Sequence, residues 1–273
     1  MPMSAPRELT LGFSPCPNDT FIFHGLVSGA VTLPGCSLQA RIHDVETLNC
    51  MAQASALDVS KLSIYGWLKV RHAYRLLATG GALGHGCGPI LVARRALTRD
   101  DMPHCRIVLP GEWTTAHLLL RLWAPEAGRR IFTTYDGILA AVAGGQADCG
   151  VIIHETRFTF AALGFQPVVD LGAWWEETTG LPIPLGGVAA ADRLPAPLVA
   201  EIEAGVAASI RHGRANPGQS LPFIRQHARE LAPDVLERHI ETFVNDYSLD
   251  LGDRGREAIA RLEQMALDAG ALE

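Results

Sequence analysis

Basic residues are in the minority. The 273-residue chain has 23 lysines and arginines against 29 acidic side chains, a net charge of −6, so it carries no basic footprint for nucleic acid. Charged residues of both signs make up only 19% and apolar residues 48%, the composition of a chain that folds around a core. A membrane-spanning run is missing: the longest uncharged stretch, Leu76 to Ala93, is interrupted by five glycines and a proline. Residues Met1 to Thr10 include Arg7 and Glu8 and lack the apolar core of an export signal. A cytoplasmic protein without a membrane partner is therefore expected. The six cysteines, at 16, 36, 50, 87, 105 and 149, form no Cys-x-x-Cys pair. In the absence of an export signal they read as reduced, mostly buried thiols.

Cofactor motifs are also incomplete. The stretch from Gly80 to Pro89 fails the Gly-x-Gly-x-x-Gly spacing, and a strand follows where a helix should begin. It reads as close-packed backbone near a hinge, with His85 lining the site. His85/Cys87 and His104/Cys105 lack a second matched pair for a metal, and His154-Glu155-Thr156-Arg157 has arginine where a zinc protease motif needs its second histidine. Neither metal nor cofactor is expected.

What is present is an alternation of strands and capped helices. Leu9 to Ser14 read as a strand, Pro15-Cys16-Pro17 stops it, and Asn18 or Asp19 caps a helix from about Thr20 to Val27. A strand from Leu38 to Ile42 leads to Asp44, the cap of a helix over Val45 to Ala54, and Leu57 to Ser63 follow as a strand. The middle of the chain repeats the order without repeating the sequence. A strand over Arg106 to Leu109 and a break at Gly111 precede a helix capped by Thr114 or Thr115. A helix over Tyr135 to Ala143 ends at Gly144-Gly145, and a strand returns from Ala147 to Ile153. The fold class is alternating α/β, with one plan stated twice. Beyond Pro195 helices are expected over Leu198 to His212, Gln219 to Gln226, Asp234 to Tyr247 and Arg254 to Ala269, the third with a core-facing stripe that includes His239. Short strands at Gly88 to Ala93 and Leu185 to Ala190 read as a two-strand crossover between lobes. The larger lobe would comprise residues 1–93 and 188–273, the smaller 94–187, with the ligand in the cleft between them. A single doubly wound domain is the alternative.

Five segments carry candidate chemistry. Gly150 to Ile153 read as a strand buried on both faces of a parallel sheet, and His154 stands where that strand leaves the core. Ligands of open α/β sheets bind at the carboxyl ends of strands, and histidine titrates near neutral pH. His154 is thus the candidate proton-transfer residue, although a lone histidine also suits a satisfied core position. Glu155, its neighbour along the strand, should point the other way. Thr114, Thr115 and Ala116 open a helix, either as an anion site or as a plain N-cap. Asn18-Asp19-Thr20 occupy the corresponding place in the first lobe with the same two readings, Asp19 opposing an anion. Lys61-Leu62-Ser63 end the strand that corresponds to the His154 strand: Lys61 and Ser63 would hold a carboxylate, unless the lysine simply leaves the strand for the surface. Trp174-Trp175 would wall an aromatic ligand or fill the core.

Several of these segments together resemble one family. Ser14-Pro15-Cys16-Pro17-Asn18-Asp19-Thr20-Phe21, Asp44-Val45-Glu46-Thr47-Leu48-Asn49 and Lys61-Leu62-Ser63 carry the likeness in the first half. Gly80-Gly81-Ala82-Leu83-Gly84, Thr114-Thr115-Ala116, Ile152-Ile153-His154-Glu155 and Val169-Asp170-Leu171-Gly172-Ala173-Trp174-Trp175-Glu176 carry it in the second. The chain resembles the 1,4-dihydroxy-6-naphthoate synthases of the futalosine route to menaquinone, from about Leu9 to past Asp250. The resemblance implies a two-lobed, periplasmic-binding-protein-like (type II) fold used as a lyase inside the cell. It implies cyclic dehypoxanthinylfutalosine as the small-molecule carboxylate substrate, split into 1,4-dihydroxy-6-naphthoate and a sugar-derived fragment. His154 is implied as the proton acceptor, and Lys61, Leu62, Ser63, Thr115 and Ala116 as substrate-binding residues, with Thr114 adjoining and Asn18 added from its place in the first lobe. A non-catalytic solute-binding protein and the chorismate dehydratase of the same pathway are the competing readings.

Overall fold

The opening strand, β1 (Arg7–Phe13), buries Leu9, Leu11 and Phe13 and runs straight into Ser14-Pro15-Cys16. In this computed structural model, which describes residues 6–228 and 232–272, α1 (Pro17–Val27) begins with proline in its first turn, where a missing N–H costs nothing. The helix therefore starts three residues before the expected Thr20. Asn18 and Asp19 lie inside its first turn and do not cap it, which frees both side chains for other work. The chain continues through β2 (Cys36–Ile42), α2 (Val45–Gln53), β3 (Val59–Ser63), α3 (Ile64–Val70), β4 (Tyr74–Leu76) and β5 (Ala82–Gly84). Asp44 caps α2 as expected, its carboxylate accepting from Glu46 N and Thr47 N at 3.1 Å each.

A second run follows: β6 (Ile90–Ala93), β7 (Ile107–Leu109), α4 (Thr115–Trp123), β8 (Arg130–Phe132), α5 (Ile138–Ala143), β9 (Cys149–Ile152), β10 (Gln166–Asp170) and α6 (Leu171–Thr179). Then β11 (Ile183–Ala191) returns to the first sheet, and the chain ends in α7 (Ala196–Ala215), α8 (Pro217–His227), α9 (Pro233–Phe243), α10 (Asp246–Leu249) and α11 (Gly252–Asp268).

The first sheet has the order β2-β1-β3-β11-β4 with β5 also on β11, and the second β10-β6-β9-β7-β8. Parallel β2-β1-β3 in one sheet is matched by parallel β8-β7-β9 in the other, each flanked by an antiparallel strand, β11 or β6. The twice-stated plan is thus two mixed sheets facing a cleft, the two-lobed arrangement expected. The purely parallel setting read for β9 is corrected: it lies between parallel β7 and antiparallel β6, and it is buried on both faces because it is central.

Packing explains the helices. Phe21, Ile22, Phe23 and Leu26 of α1 share a core with Val206, Ile210, Ile224 and Leu236 from α7, α8 and α9, each fully buried large side chain contributing about 1.5–3 kcal/mol. Ala258, Leu262 and Ala266 of α11 instead join a cluster with Leu118 and Trp175 that reaches the second sheet. The stripe expected to run from Asp234 to Tyr247 breaks at Val244, and Tyr247 belongs to α10. Trp175 is fully buried with its indole N–H on Pro182 O at 3.1 Å, and the partly buried Trp174 packs against the same core, so the tryptophan pair serves the core.

At the crossover the backbones of Gly88 and Gly172 touch. A Cβ on Gly88 would lie 2.2 Å from Gly172 Cα, so neither position tolerates a side chain. His85 does not line the site, contrary to expectation: it is exposed and paired with Glu176 at 2.9 Å. All six cysteines are free, four of them buried. Among the described residues no helix is long and apolar enough to cross a membrane.

Candidate functional site

The ends of β1, β3 and β9 and the start of α4 meet at a cleft of about 670 Å³, counting the space open to solvent. Asn18, Lys61, Leu62 and Ser63 line one wall, and Thr114, Thr115, Ala116 and His154 the other. All eight candidate residues are brought together. Asp19, weighed in the sequence only as an opponent of an anion, also faces it, as do Ser14, Cys87, Gly88, Gly186 and Phe243, which the sequence did not offer as site residues.

His154 is not a strand residue. β9 stops at Ile152, and His154 opens a tight 3₁₀ turn to Phe158 with φ of +59°, a left-handed conformation that non-glycine residues seldom adopt. Such strain persists where the surroundings impose it, and Arg157 supplies the restraint. Its guanidinium donates to Gly88 O at 2.6 Å and approaches Asp170 at 3.5 Å, tying the turn to the crossover. The His154 ring meets the Tyr135 edge at 4.9 Å and lies nearly parallel to His239 at 6.3 Å. Burial draws its pKa below the ordinary 6.5, opposed by the Glu155 and Asp19 carboxylates and reinforced by Lys61.

The turn also overturns the expectation for Glu155. Once the chain leaves the strand conformation, alternation no longer applies. Glu155 is buried at 7% exposure, its Oε2 3.9 Å from His239 Nδ1. His239 itself is completely buried, with Nε2 3.0 Å from Asn18 Oδ1. The helical stripe in the sequence placed His239 on an inward face. It held no signal of what that face meets.

Lys61 and Asp19 neutralise one another inside the wall. Lys61 is 4% exposed, donates to Gly80 O at 2.7 Å and lies 3.4 Å from Asp19 Oδ1. It is neither the surface lysine nor the free cation that the sequence left open. Asp19 accepts the Ser14 hydroxyl at 2.6 Å and the Asn18 amide at 2.9 Å, so Asn18 has both ends of its amide engaged. Ser63 takes a bond from Asn49 Nδ2 at 3.3 Å on its oxygen and gives its N–H to Asn49 Oδ1 at 3.1 Å, leaving its hydroxyl hydrogen to donate into the cleft.

The two threonines divide their tasks. Thr114 is the N-cap of α4, donating to Gly111 O at 2.9 Å and accepting from His117 N at 3.3 Å. Thr115 donates to Leu185 O at 2.9 Å and accepts from Tyr65 N at 3.2 Å. With both hydroxyls spent, the anion donors of this wall are the backbone N–H groups of Thr115 and Ala116, which precede the first N–H to donate within the helix, that of His117. Cys87 is no nucleophile, since burial pushes its thiol up to about 12. Among the described residues no three His, Cys, Asp or Glu side chains gather as metal ligands.

The whole chain has relatives. Residues 9–268 match the family model described as menaquinone biosynthesis. A 1,4-dihydroxy-6-naphthoate synthase of Thermus thermophilus is 46% identical over 94% of this chain and 93% of its own length. One of Streptomyces coelicolor is 40% identical over 96% and 94%. A crystal structure of an Archaeoglobus fulgidus protein superimposes with a TM-score of 0.92 at 30% identity, covering 97% of this chain and 98% of that one. The alkanesulfonate-binding protein of Xanthomonas axonopodis pv. citri, bound to MOPS, gives a TM-score of 0.71 at 16% identity over 99% and 96%, a likeness of fold alone that makes the architecture periplasmic-binding-protein-like. Matched along nearly its full length by both the family model and the two synthases, the chain belongs to the menaquinone-biosynthesis family of 1,4-dihydroxy-6-naphthoate synthases.

Proposed function

We propose that this chain is a cytoplasmic carbon–carbon lyase that converts cyclic dehypoxanthinylfutalosine to 1,4-dihydroxy-6-naphthoate, with His154 as the proton acceptor. The observation that carries the reading is the His154 ring, held in a strained turn across the cleft from Lys61-Leu62-Ser63, with burial favouring its unprotonated form. An unprotonated imidazole removes a proton beside a carbonyl near neutral pH without a metal. The electrons then expel the ribose-derived carbons, and aromatisation of the new ring drives the cleavage. The substrate carboxylate sits at the N-terminus of α4, on Thr115 N and Ala116 N, with the Ser63 hydroxyl beside it. Since Lys61 is already paired with Asp19, the wall fixes that carboxylate by directed donors and keeps the charge near His154 low. Closure of a lobe of residues 94–187 against residues 1–93 and 188–273 excludes water from the enolate-like intermediate.

Purified protein incubated with the cyclic substrate is expected to release the naphthoate, followed by its absorbance and by mass. Binding without turnover would make the chain a solute-binding protein, and turnover of chorismate instead would make it the dehydratase; either result sinks the proposal.

A further inference from the structure

Behind His154, two buried acceptors face each other with no donor between them. Glu155 Oε2 and His239 Nδ1 are 3.9 Å apart, on side chains 9% and 0% exposed, and among the described residues neither atom has a hydrogen-bond partner. Bonds on the far side of His239 settle its tautomer. The Asp19 carboxylate takes the Ser14 hydroxyl at 2.6 Å and faces Lys61 at 3.4 Å, so it acts as an acceptor. Asn18 accordingly turns its NH₂ to Asp19 at 2.9 Å and its carbonyl oxygen to His239 Nε2 at 3.0 Å. A carbonyl oxygen only accepts, so Nε2 carries a hydrogen. Nδ1 is then a bare lone pair aimed at a carboxylate, unless a further proton resides there. Leaving both acceptors buried and unsatisfied costs the desolvation of each, and a single proton removes both penalties once the two side chains close from 3.9 Å to hydrogen-bond distance.

We propose that Glu155 and His239 hold one proton between them, and that this neutral pair is a positioning device that sets the charge facing His154. The charged groups described around it are otherwise engaged. Asp19 on α1 and Lys61 on β3 compensate each other at 3.4 Å, Cys16 is kept a neutral thiol by burial, and Arg238 on α9 is held over the Phe158 ring at 4.6 Å. The His154 ring lies 6.3 Å from His239, so the charge it meets is that of the pair. With the proton the pair is neutral and His154 stays available as a base. Without it, an uncompensated carboxylate would hold a proton on His154 and idle it near neutral pH. The proposal rests on His154 being the proton acceptor for its kinetic consequence, and on the hydrogen-bond geometry alone for the proton.

Two measurements on the resting protein, neither using substrate, decide the matter. Histidine labelled with ¹⁵N and glutamate labelled with ¹³C at the carboxyl are read by NMR at about pH 7. The expected signature is either an imidazolium at His239 or an acid carboxyl at Glu155. An ionised Glu155 beside a His239 protonated at Nε2 only overturns the proposal. The second measurement titrates His154 in Glu155→Gln, whose amide donates to Nδ1 and leaves the pair neutral. Its midpoint is expected to stay within about 0.3 pH unit of the wild type, whereas a fall of about one unit or more would reveal a bare carboxylate and refute the pair. Should Glu155→Gln fail to fold, the labelled wild type still decides. A protein that fails to turn over the cyclic substrate would remove the proposed function and leave the shared proton standing.

Discussion

His154 is governed first by burial, which favours the neutral ring, and the pull of the Glu155 and Asp19 carboxylates towards the charged one is limited by their own partners, His239 and Lys61. Because only the neutral ring accepts a proton, kcat/KM is expected to fall on the acid side with a midpoint below the ordinary 6.5, read from a pH–rate profile. His154→Gln keeps much of the shape and loses the base, so kcat should drop by about 10²–10⁴-fold while calorimetry shows the naphthoate still binding. An unchanged kcat would remove His154 from the reaction. At Lys61 the burial has a different consequence. Lys61→Met leaves Asp19 and Gly80 O without their partner, and breaking a buried pair in this way costs about 3–5 kcal/mol. Urea unfolding is expected to show that loss, and adding Asp19→Asn should recover part of it.

At the level of elements, α4 carries a pH dependence of its own. Its His117 gives Nδ1–H to Glu112 O at 2.7 Å, while Nε2 has no partner among the described residues and the ring meets Phe132 edge-on at 5.2 Å. Burial pushes its pKa from 6.5 to about 4, with Arg130 and Arg121 adding to the descent against the Glu112 bond. Between those two values the unfolded chain binds the extra proton and the folded one does not. Stability is therefore lost as pH falls from 6.5 towards 4, by about 3 kcal/mol at most, and this group adds no pH dependence above that window. Urea midpoints at neutral pH and at about pH 5 should differ in the wild type and differ by less in His117→Gln. Persistence of the full difference would assign it to other groups.

At the level of the whole molecule, one contact bridges the cleft away from the candidate chemistry. Glu46 on α2 accepts Trp113 N–H with both oxygens, at 3.0 and 3.1 Å, and Asn49 Nδ2 reaches Trp113 O at 3.3 Å. Glycine at 111 makes this possible, since a Cβ there would lie 2.5 Å from the Glu46 carboxylate. Burial raises the Glu46 pKa from 4.5 while the Trp113 bond opposes the rise. Glu46→Ala should loosen one lobe from the other. A larger radius of gyration in solution scattering is expected, with KM raised by about tenfold or more and kcat altered less. An unchanged radius and KM would mean that the contact does not hold the lobes.

How much of this was legible in the chain differs by feature. Strand–helix alternation, the Asp44 and Thr114 caps and the inward stripe of α9 were legible because they depend on residues within a few positions of each other. The eight candidate residues could be named from the ends of strands and helices and from the family likeness, and one cleft contains them all. Their bonding was not legible. Lys61 meets Asp19 across 42 residues of chain, Asn18 meets His239 across 221, and Glu155 meets His239 only because His154 turns at φ +59°. Periodicity says which face a side chain takes, and local spacing says where an element starts. Whether a buried charge is free, paired or protonated depends on partners that only tertiary packing supplies. From sequence alone came the α/β class and eight residues that share one cleft, and packing between distant segments set which of their polar groups are already paired.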